Sequence, residues 1–336
     1  MRIAVNVGCG FITGVECKNH KSISFPSIIV PTADEPNMGY GVSKYQVNIE
    51  GSSYYIGEKG LSKGGSRGWE TTERRFEYVR CFIATAVHQL VDVDEPIELI
   101  LGLPKHLFKA MHESVQEILQ GTKIGIQIND EEKLLNIRTV VVYPETIGMY
   151  YATLYDSKGN ITARSLFNKP IGIIQIGYQG VDLLYMKKDS VGLTPLTTMS
   201  PNNYGMKESY RFIQTQLKSM SHGEPDLIEI EKAVVLYNGE LDFKGKTYDL
   251  LELQNQGEIE LASQIANWVD DTWGNEIGDL EDIFIIGEQS TTYYLKIKEK
   301  ISNLQLINHT QTPQVLGLLA AHVLVIEMYK DLVSNK

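Results

Sequence analysis

Cysteines, basic clusters and long apolar runs are all scarce in this chain of 336 residues, and each scarcity removes a class of function. Three cysteines (Cys9, Cys17, Cys81) make an odd number with no paired spacing, so neither a disulfide framework nor a zinc-ligand pattern is present, and a reducing cytoplasm is the expected setting. No run of lysine or arginine escapes interleaved acids. With a formal net charge of −11, the chain is not expected to grip nucleic acid directly by counterion release, and any DNA contact would pass through a basic partner. No apolar run approaches the roughly 18 residues of a membrane helix, and the first residues lead straight into a strand pattern, so neither export nor insertion is expected. The glycosylation sequons at Asn160 and Asn308 are accordingly read as chance. Low-complexity segments and linkers are absent too.

What is present is a well-packed composition, 43% hydrophobic and 22% charged, long enough for two ordinary domains. The opening alternates strand-like runs with glycines: Ile3–Val7, Val15–Cys17, Ser27–Val30, Tyr45–Ile49 and Ser53–Ile56. Apolar residues at helical spacing (Phe76, Val79, Ile83, Ala86, Val87, Leu90) predict a helix from Glu70 to Leu90. A strand at Ile97–Gly102, a helix from Pro104 to about Leu119, a strand at Arg138–Tyr143 and a helix at Glu145–Tyr155 complete an α/β alternation that ends in a turn at 156–160.

The chain then starts again. "IGIIQIGYQG" (171–180) repeats "IAVNVGCG" (3–10) in outline, aligning Gln175 with Asn6 and Gly177 with Gly8. Such a repeat predicts two α/β halves, 1–160 and 161–336, with smaller subdomains at about 31–70 and about 200–255. The second half is expected to run as a helix at Gly205–Ser219, a β-ribbon around Ala233–Leu251 and a helix at Glu258–Trp273. After these come a strand at Ile283–Ile286, a helix at about Thr291–Ile301, a strand at Leu304–Ile307 and a C-terminal helix capped by Thr312 and Pro313, packing back on the first half. One stretch imitates a nucleotide loop: Gly239 to Thr247, ending Gly-Lys-Thr. Five residues separate its glycines where a Walker loop needs four, and strand-like flanks make a β-hairpin the better reading.

A strand that ends in a glycine turn presents backbone N–H groups to an anion. The paired turns Asn6-Val-Gly8-Cys9-Gly10 and Gln175-Ile-Gly177-Tyr178-Gln179-Gly180-Val-Asp182 stand in order with "GLP" (102–104), "VVVYPETIG" (140–148), "GMKESYRFI" (205–213), "IFIIGEQS" (283–290) and "TPQVLGLLAAHVL" (312–324). Over nearly the whole chain this set resembles the bacterial and plasmid actin-like proteins of the ParM type.

The resemblance implies an actin-like fold of duplicated halves around a nucleotide cleft. It implies ATP or GTP bound by Gly8, Cys9, Gly10, Gly177, Tyr178, Gln179, Lys207, Glu208, Gly287 and Glu288, with Glu145 orienting the attacking water in a nucleoside triphosphatase reaction. It also implies head-to-tail self-assembly into filaments that move or segregate plasmid DNA through a DNA-binding adaptor. Where the family carries aspartates beside a hydrated Mg2+, this chain has Asn6 and Gln175. An amide can meet metal-bound water but brings no charge, so cation binding and hydrolysis should weaken.

Blander readings stand beside these. The glycine turns could be tight turns only, Glu145 could merely complement a helix dipole, and Lys207-Glu208 could be a solvated pair. Two alternatives to a hydrolysing filament follow: an actin-like filament or regulatory protein with little or no hydrolysis, and a small-molecule kinase of the same superfamily, for which Asp182 would be the catalytic carboxylate.

Overall fold

The computed structural model of the chain describes residues 1–307 and Gly317, except 20, 33–45, 70–73, 93–94, 156–160, 162, 164, 167–168, 189–192, 200–203, 222 and 288. The expected turn at 156–160, the sequons and the C-terminal helix with Thr312 and Pro313 therefore lie outside the described residues. The chain divides into two compact units, Met1–Arg164 with Asn308–Lys336, and Ser165–Ile307.

The first unit runs β1 (Arg2–Val7), β2 (Phe11–Glu16), β3 (Ser22–Pro26), β4 (Ile28–Pro31), β5 (Gln46–Ile49), β6 (Ser52–Ile56), α1 (Glu58–Ser62), β7 (Ser66–Arg67), α2 (Arg75–Leu90), β8 (Ile97–Leu103), α3 (Lys105–Glu117), β9 (Thr122–Ile128), β10 (Glu131–Pro144) and α4 (Glu145–Leu154). Its strands form one sheet in the order β3-β2-β1-β8-β10-β9-β5-β6-β4-β7. Ile3 to Val7 are buried without interruption, as a strand covered on both faces requires. Helix α2 lies on this sheet and buries Val79, Phe82, Ile83, Ala86, Val87 and Leu90.

The second unit runs β11 (Ile171–Ile176), β12 (Val181–Lys188), β13 (Leu193–Met199), α5 (Lys207–Ser221), α6 (Leu227–Leu236), β14 (Glu240–Phe243), β15 (Lys246–Asp249), α7 (Leu251–Trp273), β16 (Asp282–Ile286), α8 (Ser290–Lys298) and β17 (Leu304–Leu306). Its sheet order is β13-β12-β11-β16-β17. This reproduces β3-β2-β1-β8-β10 strand for strand, with two antiparallel steps followed by two parallel ones in both units. Asn6 pairs in register with Gly102 of β8, and Gln175 with Ile286 of β16, each the residue before the last of its central strand. The equivalence of Asn6 and Gln175 is thus a fact of topology.

Several expectations need correction. The helix read from residue 70 begins at Arg75, and Phe76, placed on its apolar face, is 41% exposed. The strand read at Arg138–Tyr143 is the end of the fourteen-residue β10, which forms a hairpin with the unanticipated β9. Val234–Tyr237, read as a strand flanking the Walker-like stretch, belongs to α6 and its end. That helix is set by its start, where the Asp226 N–H donates to the Glu229 carboxylate at 3.0 Å, and by burial of Ile230 and Ala233 one turn apart. Helix α7 starts at Leu251, seven residues before the expected Glu258. The Walker-like stretch is a hairpin, β14 paired with β15, whose two-residue turn takes positive φ at Lys244 and Gly245.

No helix among the described residues is long and apolar enough to cross a membrane. His88, buried on α2, donates from Nε2 to the Glu131 carbonyl at 3.0 Å. Desolvation holds its pKa below the usual imidazole value, with the Lys133 charge adding to that lowering and the carbonyl bond opposing it. A lowered histidine favours the neutral folded form. Its stabilisation is complete above the unfolded pKa of about 6.5 and is lost as pH falls through the folded value. The melting temperature should therefore drop between pH 7.5 and 5, and His88→Gln should flatten that drop in parallel thermal scans; an unchanged slope would remove His88 as its source.

Candidate functional site

The first glycine turn, Gly8-Cys9-Gly10, is fastened through its carbonyls. Trp69 donates from Nε1 to the Val7 oxygen at 3.1 Å and the Gly8 oxygen at 3.2 Å. Arg67, which is 3% exposed on β7, donates from Nη1 to the Gly10 oxygen at 2.6 Å and the Cys9 oxygen at 3.3 Å. Ser27 adds its hydroxyl to the Cys9 oxygen at 2.5 Å and its N–H to the Gly10 oxygen at 2.9 Å. In a trans peptide the C=O of one residue and the N–H of the next point oppositely, and no described peptide is cis. Fixing the carbonyls of Val7, Gly8 and Cys9 therefore aims the N–H groups of Gly8, Cys9 and Gly10 to the other side. That is the geometry of an anion cradle.

Arg67, Trp69 and Ser27 were missed in the sequence. The available signal was "RGW" (67–69), in which Gly68 lets the chain pass Phe82: a Cβ there would lie 2.3 Å from the ring.

At the end of β1, Asn6 is 1% exposed and donates from Nδ2 to Glu145 Oε2 at 3.4 Å. Its Oδ1 has no hydrogen-bond partner among the described residues. Glu145, 5% exposed, opens α4 directly after Pro144, where the helix dipole favours a negative charge. Gly317 lies against α4, where a Cβ would come within 2.0 Å of the Gly148 oxygen. Sequence reasoning placed Asn6 and Glu145 in one site, and within this unit they touch.

The second turn, Gly177 to Gly180, is a hairpin loop between β11 and β12 closed by the Gly177 N–H on the Gly180 oxygen at 2.9 Å. Its carbonyls are also taken. The Met206 N–H bonds the Gly177 oxygen at 3.0 Å and the Lys207 N–H bonds the Tyr178 oxygen at 3.1 Å, so the N–H groups of Tyr178 and Gln179 face away from α5. Gly205 is pressed against this loop so closely that a Cβ would lie 2.2 Å from the Gln179 carbonyl carbon, and no side chain fits there. Gln175 is 5% exposed, its Oε1 has no partner among the described residues, and Asp182 is its cross-strand neighbour.

Of the remaining predicted residues, Gly287 lies against the end of β11 with φ 124°, where a Cβ would approach the Ile176 oxygen to 2.4 Å. Lys207 begins α5. The Glu208 carboxylate is paired with Arg211 at 2.8 Å, one helical turn along. Glu288 lies outside the described residues. No cluster of three or more histidine, cysteine, aspartate or glutamate side chains suited to a metal ion occurs among the described residues.

Comparison with known proteins places these features. Residues 4–148 match the family model for the N-terminal domain of actin-like proteins, and residues 173–290 match that for the C-terminal part of archaeal MreB-like actin homologues. No curated protein sequence matches. Among solved structures, a non-polymerisable quadruple mutant of pCBH ParM is 22% identical with a TM-score of 0.76, over 95% of this chain and 97% of that one. A 15-stranded ParM filament from Clostridium botulinum is 20% identical with a TM-score of 0.75 over the same shares. An archaeal actin homologue in complex with ADP is 15% identical with a TM-score of 0.70, over 96% of this chain and 99% of that one.

Proposed function

Because the chain belongs to the actin-like proteins, matched by their family models in both halves, we propose that it is a nucleotide-dependent filament-forming protein. One observation carries the reading: two glycine turns follow equivalent strands of duplicated sheets, and each is fastened by carbonyls so that N–H groups of the turn point away from the fastening donors. Such edges suit the phosphates of ATP or GTP. The likeness to a ParM filament and to an ADP-bound archaeal homologue supports self-association and nucleotide as the ligand. We extend the proposal to the cytoplasmic movement or segregation of plasmid DNA. The chain's net charge of −11 favours a DNA-binding adaptor over direct contact.

The residues fit a hydrated Mg2+ through water only. In the first unit Asn6 Oδ1 is a buried acceptor without a partner among the described residues, with the Glu145 carboxylate next to it; in the second unit, taken by itself, Gln175 Oε1 is likewise a buried acceptor without a partner among the described residues. A bound cation would offset phosphate charge during hydrolysis. Glu145 orients and accepts a proton from the attacking water, and Asn6, by donating to Oε2, fixes the direction of that carboxylate. The neutral amides favour a second reading, a filament with slow or absent hydrolysis.

Phosphate release from ATP or GTP with Mg2+, followed together with pelleting of polymer, separates the two. Hydrolysis coupled to pelleting is the expected result, and pelleting without hydrolysis selects the second reading. Glu145→Ala should lower phosphate release by about 100-fold while leaving polymer able to form; an unchanged rate would refute its role.

A further inference from the structure

Tyr178 is tied in three directions at once. Its C=O accepts from Lys207 at the start of α5 at 3.1 Å, its N–H faces the proposed anion edge, and its phenol donates to Glu231 Oε2 of α6 at 3.0 Å. Glu231 is 1% exposed, so this carboxylate has been withdrawn from water, which a protein tolerates only where hydrogen bonds compensate. Helix α6 is in turn locked to the β14–β15 hairpin, since the Gly239 N–H bonds the Ala233 oxygen at 2.9 Å and the Glu240 N–H bonds the Tyr237 oxygen at 3.0 Å. The chain from anion edge to hairpin is therefore continuous: turn, phenol, buried carboxylate, helix, ribbon.

A carboxylate so near an anion turn does not bind phosphate, and the phenol stands between the two. We infer that Tyr178 is a positioning residue that reports occupancy of the second glycine turn to α6 and the β14–β15 hairpin through its bond to Glu231. The inference rests on the nucleotide-binding reading above. Binding at the N–H of Tyr178 and Gln179 shifts the peptide planes of the loop. Main-chain bonds pass that shift to α5, and the phenol passes it to α6.

Hydrogen exchange on the full chain, with and without MgATP or MgGTP, tests this. In the unaltered protein, nucleotide should slow exchange in 227–236 and 240–249 by about threefold or more. In Glu231→Leu, which cannot accept from the phenol, the protein still binds nucleotide and still gains protection at 205–209, but the response of 227–236 is lost. Glu231→Gln, whose amide oxygen can accept the same bond, should keep it. A purely structural phenol would loosen α6 equally with and without nucleotide, leaving the difference intact, and that result overturns the relay. Binding without any response of α6 in the unaltered chain overturns it as well. Failure of the unaltered chain to bind either nucleotide overturns the nucleotide reading itself, and the relay with it.

Discussion

Arg67→Ala is expected to lower stability by about 2–5 kcal/mol and to weaken nucleotide binding at the first turn. The substitution removes a buried guanidinium whose Nη1 bonds the carbonyl oxygens of Cys9 and Gly10 and approaches the Ser27 hydroxyl at 3.3 Å. Two main-chain oxygens are left with weaker bonding in a dry site, and each such loss costs about 1–3 kcal/mol. The second effect follows from the geometry of the peptide. With the Arg67 bond gone, the Cys9 carbonyl keeps the Ser27 hydroxyl, and the Gly10 N–H is aimed less firmly. Differential scanning fluorimetry with a fluorescent ATP analogue reads both effects. An Arg67→Ala protein that binds nucleotide with unchanged affinity would show that the turn is shaped without its clamp.

The second large effect is expected from Asn6→Asp. Its new carboxylate would lie about 3.4 Å from Glu145, measured by the present amide contact. Two carboxylates at that distance in a buried site repel by on the order of 2–4 kcal/mol, and one of them takes a raised pKa. A carboxyl raised in the folded state destabilises above that pKa and not below it. The variant should therefore melt lower than the unaltered chain at pH 8 and converge with it toward pH 5. Millimolar Mg2+ should restore the variant at pH 8 and change the unaltered protein much less, since the cation offsets the added charge. With Gln175→Asp as well, phosphate release from ATP or GTP should rise. Equal response to Mg2+ in both proteins would mean that the amide does not govern cation binding here.

The duplication was legible in the sequence because it rests on short-range pattern. A buried strand covered on both faces must be written as a continuous apolar run, and a turn after it must be glycine-rich, so Ile3–Gly10 and Ile171–Gly180 carry the same signature. The actin-like assignment drew on the order of such pieces, and the family models bear it out. Asn6 and Glu145, 139 residues apart, were placed in one site by the family resemblance, and they are in contact.

What stayed hidden depended on tertiary contact. Helix α6 carries Val234 and Val235 at its end, where residues of strand preference cost a helix little once its start is capped and one face is buried. Arg67 and Trp69 read as ordinary surface residues until the fold brings them beneath the first turn. Gly205 reads as an ordinary helix start, although its missing side chain is what lets α5 bond the second turn. No local pattern announces that a particular carbonyl will need a donor.

Sheet order in the first unit has a mechanical consequence. Strand β7 is the last of ten and β1 the third, yet Arg67 of β7 is bonded to the loop that leaves β1, and Ser27, between β3 and β4, is bonded to the same loop. The ladder of strands thus returns to its own beginning and is buckled there by side chains rather than by strand pairing. A hoop closed in this way carries load around its whole circumference. Strands β3 and β7, at the two ends of the order, have one ladder neighbour each, so tension that reaches them from the far joint of β9 and β5 passes to the side-chain clasp. The buckle is the weakest link in that circuit, because it is made of a few donors where every other joint is a main-chain ladder, and it coincides with the turn that would hold phosphate. A load on the small strands would be felt first at that turn.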